Sequence, residues 1–299
     1  METHATVRAA EIAQFLKAQL FGPDLLIGRI TPIHLLASHA LSFAGTYNEE
    51  YVSWISACPT SLVICTPEYK DKIAASYVIS DQPRLDFLRV IGHFYAPASA
   101  RGTSPLARIN PSARLGKDVA VGANSAIGPN VTVGDGTAIF ENVVVSGEVT
   151  IGKRCVLKSN CVIGEEGFGF AYNEFGVPEH FPHIGSIEIG DDVWIGACST
   201  VERATIDKTV IGSNAKIDDL VQIGHNCVVG ANCLVMAGSI LCGGAVLGRG
   251  CWIAPNTTVR EKVHLGDAAY TGLGAVVIKD VPDNMIVVGN PARQLRKRA

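Results

Sequence analysis

Every sixth residue decides what this chain can become. Stepping in sixes from Ile109 meets Leu115, Val121, Ile127, Val133, Ile139, Val145, Ile151, Leu157 and Ile163, ten aliphatic residues in succession. Chance would produce such a run on the order of once in a hundred thousand trials, and neither a helix nor an alternating strand has that period. The step resumes at Ile189, Ile195 and Val201. It runs again from Ile211 through Ile217, Ile223, Val229, Val235, Leu241, Leu247, Ile253, Val259 and Leu265 to Val277, broken only by Thr271. Glycine often follows the aliphatic residue, as at Gly122, Gly134, Gly196 and Gly230. A hexad of this kind supplies one short strand and one turn, three hexads close a coil of about 18 residues, and stacked coils make a parallel β-helix. The reading is a mainly β chain with about eight such coils, its aliphatic residues inside and its glycines in tight turn conformations.

Two interruptions leave the repeat as loops: Glu165 to Ile187, rich in Phe, Pro and Gly, and Glu202 to Val210, where four extra residues separate Val201 from Ile211. Residues 1–100 lack hexads. Helical patterns at Ala10–Leu20 and Arg84–Phe94, with apolar runs at Leu62–Cys65 and Ala74–Ile79, predict a small N-terminal α/β domain. The join falls in the Ala- and Pro-rich stretch from Ala96 to Ser112, the β-helix occupies 101–280, and 281–299 is expected as a basic tail. A net charge of −3, from 25 basic and 28 acidic side chains, excludes an electrostatic nucleic-acid binder. The uncharged stretch from Asn226 to Gly248 carries too many glycines and polar residues for a membrane span. Nine cysteines without a CxxC pair, and no secretory leader before Ala9, point to reduced packing thiols and a cytoplasmic protein.

Among eight histidines, His225 stands apart in the segment Lys216 to Gly230, directly after a hexad glycine and so at an exposed corner. An imidazole on a rigid edge suits a general base for an attacking amine or hydroxyl. Asp218, seven residues earlier, could fix its tautomer, and Gly243, 18 residues later and one coil above, could donate its N–H to an oxyanion. His180 and His183 have a loose metal-ligand spacing but no carboxylate at a defined offset, so no metal site and no bound cofactor are expected. His264 is expected at a solvated turn.

The stretches 164–176, 184–212 and 216–226, with 10–20, 40–52 and 84–95 in the N-terminal part, resemble the UDP-3-O-(3-hydroxyacyl)glucosamine N-acyltransferases of lipid A assembly over about 240 residues. The resemblance implies a left-handed β-helix, a homotrimer, His225 as base with Asp218 and Gly243 beside it, and an N-terminal domain that holds uracil. Phe43 matches the family's stacking aromatic, and either Tyr47 or Tyr51 the second. Phe168, Phe170 and Asn226 are the further candidate substrate contacts. Two departures bear on the donor: Lys262, with His264 close by, stands where the family has a second histidine, and the chain stops at Ala299 without the family's helical extension. Gly289 to Arg293 instead looks like the end of coenzyme-A-dependent sugar acetyltransferases. Lys262 and Arg293 are therefore donor-binding candidates, the donor being an acyl carrier protein thioester or an acyl-coenzyme A. The expected function is acyl transfer to the amine of a UDP-linked amino sugar. The alternative is an acetyl-coenzyme-A-dependent N- or O-acetyltransferase on a nucleotide sugar for surface polysaccharide; a bare scaffold would leave base, loop and nucleotide domain without purpose.

Overall fold

The computed structural model describes residues 2–96 and 102–298. The chain divides into two compact units, Met1–Ala98 and Ser99–Ala299. That division lies inside the expected join, part of which falls outside the described residues. The later part of the join already belongs to the second unit, whose first strand is Arg108–Ile109. None of the helices described is long and apolar enough to cross a membrane.

In the first unit, β1 (Glu2–Arg8), α1 (Ala9–Phe15), β2 (Leu20–Phe21), β3 (Leu26–Ile30), β4 (Ala40–Ala44), α2 (Glu49–Ser56), β5 (Leu62–Cys65), β6 (Ser76–Ile79) and α3 (Pro83–Val90) follow one another. The sheet order is β1-β3-β4-β5-β6-β2. β3 to β6 run parallel and the two edges antiparallel. Burial alternates along β5: Leu62 and Ile64 enter one core with Ile12 and Val90, while Val63 and Cys65 enter another with Ile55 and Tyr69. A strand buried on both faces reads as a continuous apolar run, as Leu62–Cys65 does. The first helix is shorter than its apolar pattern, which continues to Leu20, because Lys17 takes a positive φ of 55° and ends it.

The second unit is a three-faced parallel solenoid whose faces hold nine, eight and ten strands. Ile127, Val145 and Ile163 pair one above another at a spacing of 18 residues, and Ile163–Val201, Val201–Ile223 and Ile223–Leu241 continue the same face across both insertions. The shaft is filled by the aliphatic residues of the hexads, all but the first few fully buried. Cys155, Cys161, Cys227, Cys233 and Cys251 join them as free, buried thiols. Desolvation pushes Cys161 and Cys227 up to about 12, so neither ionises near neutrality.

Most glycines that follow a hexad's aliphatic residue serve a different purpose from the one expected of them, Gly164 with a φ of 99° being an exception. Gly230 has no left-handed φ; a Cβ there would lie 2.4 Å from the carbonyl oxygen of Gly248 in the next coil. The left-handed position comes two residues later, at Asn232 (φ 61°), and is taken at other corners by Asn124, Gly136 and Lys262. Close approach of coils, not backbone freedom, selects glycine at the first place.

Residues 281–298 are not a separate tail. Met285–Val288 and Arg293–Lys297 form an antiparallel hairpin that extends the ten-stranded face, and Val281 and Val287 plug the core.

Candidate active site

His225 follows the strand Gln222–Ile223 at a corner of the shaft, half-buried. Its backbone N–H donates to Glu202 Oε2 at 3.1 Å, and Glu202 Oε1 accepts from Gln222 Nε2 at 3.0 Å. The ring Nδ1 lies 3.0 Å from Asn226 Oδ1. Which atom of that amide is oxygen follows from its other partners: Thr205 N–H donates to it at 3.0 Å, and Nδ2 donates to the Ile206 carbonyl at 2.9 Å. An amide oxygen only accepts, so Nδ1 carries the imidazole proton and Nε2 keeps its lone pair. Asn226 is itself held by Thr209 Oγ1, which accepts its N–H at 2.9 Å. The stretch Glu202 to Val210, with its four extra residues, is thus the cradle of this pair.

Gly243 lies against the free nitrogen. A Cβ at that position would sit 2.5 Å from His225 Nε2. Its carbonyl accepts from Lys262 N–H at 3.1 Å, but among the described residues nothing accepts from its own N–H. A lone pair and an unclaimed backbone donor therefore stand side by side, the two groups that attack on a carbonyl requires.

Asp218 does not join them. It is exposed on the turn after Lys216–Ile217, a different face, and its Oδ1 accepts from Asp219 N–H at 2.9 Å. Seven residues span a whole face and a corner, so the carboxylate ends beyond hydrogen-bonding reach of the imidazole within the chain. Asn226, read from the sequence as a substrate contact, takes the tautomer-fixing place instead. Glu202 was not anticipated, although its signal is visible: it follows Val201 where the neighbouring coils have Gly164 and Gly224.

The long insertion begins one coil below Glu202 and two below His225. Phe170–Tyr172 and Pro178–His180 form a hairpin, with Phe168 and Phe170 exposed and their rings 4.8 Å apart. His183 is buried beneath it at 2 % exposure, its ring edge-to-face with His225 at 5.1 Å. Arg203 pins the insertion, donating to the carbonyls of His183 and Gly164 and pairing with Glu166 at 2.5 Å. The Glu166 carboxyl is held below the usual carboxylate range, first by the His183 backbone N–H and then by Arg203.

His225, Gly243, Glu261 and Lys279 occupy the same place in four successive coils. At about 4.8 Å per coil, Lys279 is about 14 Å from His225. Arg293 and Lys279 line one cleft of about 260 Å³ at that end. Lys262 is exposed on the adjoining column, with its Cγ over Gly244. His264 is exposed on the eight-stranded face that flanks this edge, its backbone N–H donating to Asp280 Oδ1 at 2.9 Å.

In the first unit, Phe43 is half-buried on β4 against Phe87, ring centroids 4.9 Å apart. Tyr47 is exposed, with Lys72 Nζ 4.3 Å over its ring, whereas Tyr51 is stacked on Trp54 at 5.3 Å. A cleft of about 500 Å³ lined by Gly45, Asp81, Arg84 and Leu88 opens just beyond β4 and β6. Those are the carboxyl ends of parallel strands, where such sheets bind ligands.

The chain can now be set beside known proteins. Residues 208–243 match the family described as bacterial transferase hexapeptide (six repeats). Over 242 residues the chain is 40% identical to the UDP-3-O-acylglucosamine N-acyltransferase of Oleidesulfovibrio alaskensis, covering 75% of this chain and 70% of that one. It belongs to the UDP-3-O-acylglucosamine N-acyltransferase family. A second member, from Helicobacter hepaticus, is 34% identical over 136 residues, 46% of this chain and 42% of the relative. Among solved structures, LpxA from Acinetobacter baumannii superposes with a TM-score of 0.60 at 26% identity, covering 65% of this chain and 74% of the other. The UDP-N-acetylglucosamine O-acyltransferase of Moraxella catarrhalis gives 0.60 at 25%, with the same coverages. Family membership makes the chain an acyltransferase, and the hexapeptide shaft is the architecture it shares with these neighbours.

Proposed function

We propose that the chain transfers an acyl group from a thioester to the amine of a UDP-linked 3-O-acylglucosamine, with His225 as general base. The observation that carries this reading is the pairing of a fixed Nε2 lone pair with the unclaimed N–H of Gly243. The amine attacks the thioester carbonyl as Nε2 takes its proton. Gly243 N–H steadies the oxyanion, and the imidazolium returns the proton to the departing thiolate, leaving an amide and a free thiol. Phe43 and Tyr47 supply the aromatic faces for uracil beside the cleft at Gly45; the greater exposure of Tyr47 favours it over Tyr51, although Lys72 lies over its ring. Phe168 and Phe170 offer apolar surface to an acyl chain.

The donor lies along the edge from His225 to the cations Lys279, Arg293 and Lys262. An extended thioester arm spans that length, and its anionic end, an acyl carrier protein or coenzyme A, meets the positive charge. The hairpin turn at Gly289 to Arg293 favours coenzyme A as the second reading. Trimerisation supplies the second wall of the cleft, since His225 projects from an outer corner. The protein acts in the cytoplasm, where UDP-sugars and both thioesters are available.

The test is turnover of UDP-3-O-acylglucosamine with acyl carrier protein and coenzyme A thioesters of several lengths. His225→Ala is expected to lower kcat by roughly a hundred- to ten-thousand-fold with its melting temperature unchanged. Near-normal turnover removes His225 from the mechanism, and activity with acetyl-coenzyme A alone selects the acetyltransferase.

A further inference from the structure

The sequence offers His180 and His183 without a carboxylate; the fold brings one. One oxygen of Glu166 and one ring nitrogen each of His180 and His183 lie within 4.8 Å of one another. His183 Nδ1 is 2.9 Å from the Phe181 carbonyl, which can only accept, so the proton is on Nδ1 and Nε2 is bare. That Nε2 is buried and has no hydrogen-bond partner among the described residues. A ring fixed through one N–H by a carbonyl, with the other nitrogen's lone pair unused, is how metal-ligating imidazoles are held. Glu166 is similarly prepared. Arg203 takes Oε1, while Oε2 faces His180 Nε2 at 2.9 Å and the His183 backbone N–H at 3.3 Å.

We infer that Glu166, His180 and His183 form a binding site for one divalent transition-metal ion of the Zn²⁺ type. Two imidazoles and one carboxylate are a donor set that such an ion takes, with water as the fourth ligand. Bonds of about 2.1 Å require the three groups to draw closer than they stand. His180 can do so because it is exposed at the end of the hairpin strand Pro178–His180. The ion ties Glu166, at the start of the insertion, to His180 and His183 near its end, and so clamps the base of the aromatic hairpin next to His225. The positive charge of Arg203 weakens the attraction, so the ion is held less tightly than in a closed structural site.

The test is titration of Zn²⁺ into the full-length, chelator-stripped protein by calorimetry, with Co²⁺ as a spectroscopic stand-in. Expected are one ion per chain, a visible ligand-field spectrum for Co²⁺, a higher melting temperature with Zn²⁺, and at least tenfold weaker binding in His180→Ala. That variant is chosen because His180 is exposed, so loss of binding cannot be loss of fold; Glu166→Gln is the second variant, its melting curve checked without metal. Absence of saturable binding overturns the site. Binding as tight in His180→Ala as in the wild type also overturns it, since the ion then sits on other histidines or thiols.

Discussion

A single proton separates a usable His225 from an idle one. Asn226 keeps that proton on Nδ1 through an oxygen that Thr205 and Ile206 orient. Asn226→Ala is therefore expected to lower kcat tenfold or more while KM for both substrates stays close to wild type. Asn226→Asp keeps an acceptor but adds a negative charge beside the ring, which favours imidazolium. The acid limb of its kcat/KM profile should move to higher pH, and an unmoved limb would show that residue 226 does not face the base in solution. Gly243→Ala places a methyl 2.5 Å from Nε2. The ring must turn away, so kcat is expected to fall a hundredfold or more with the coils still folded, and retention of wild-type kcat would contradict the packing seen here. Position 225 is singled out by its place at a hexad corner and, chiefly, by the resemblance of residues 216–226 to the family. Its partner was not, because the repeat predicts stacking along the shaft but says nothing of how an insertion folds back on a corner.

Coils are stapled to each other by carboxylates. Asp135 accepts the N–H of Lys117 at 2.9 Å and Asp219 that of Ala197 at 2.7 Å, in each case an amide of the preceding coil. These backbone bonds, more than the neighbouring Lys153 and Lys158, hold both carboxyls below the usual aspartate range. A carboxyl whose pKa is lowered by folding stabilises the native state above its unfolded value, about 3.9, and that contribution is lost as pH falls through the lowered value. The melting temperature of the shaft should stay level from neutral pH to about 4 and fall below it, less steeply in Asp219→Asn. A decline already complete by about pH 5 would assign acid sensitivity elsewhere. The hexads made these coils readable in advance down to single strands, Ile163 and Val201 included. In the first unit the second expected helix, Arg84–Phe94, is found, but the first was less legible, since one residue in the left-handed region, Lys17, cuts short a pattern whose apolar spacing runs on.

At the scale of the whole shaft, His225 and the cations Lys279 and Arg293 share one edge, so the proposed chemistry and the proposed donor recognition can be tested separately by mutation. Arg293→Glu, on an exposed strand, should raise KM for the thioester several-fold and leave KM for the sugar nucleotide unchanged. Equal kinetics for every donor would show that the terminal hairpin takes no part in binding it. That hairpin has a second consequence. A stack of identical coils has open ends, each a row of unpaired N–H and C=O groups able to take on another shaft and grow into a filament. Here the last strand runs against the direction of those beneath it, and it sets Arg293, Arg296 and Lys297 along the rim. An approaching shaft end would meet reversed polarity and positive charge on that face, so the hairpin whose Val287 helps to close the core also guards this end against a second shaft.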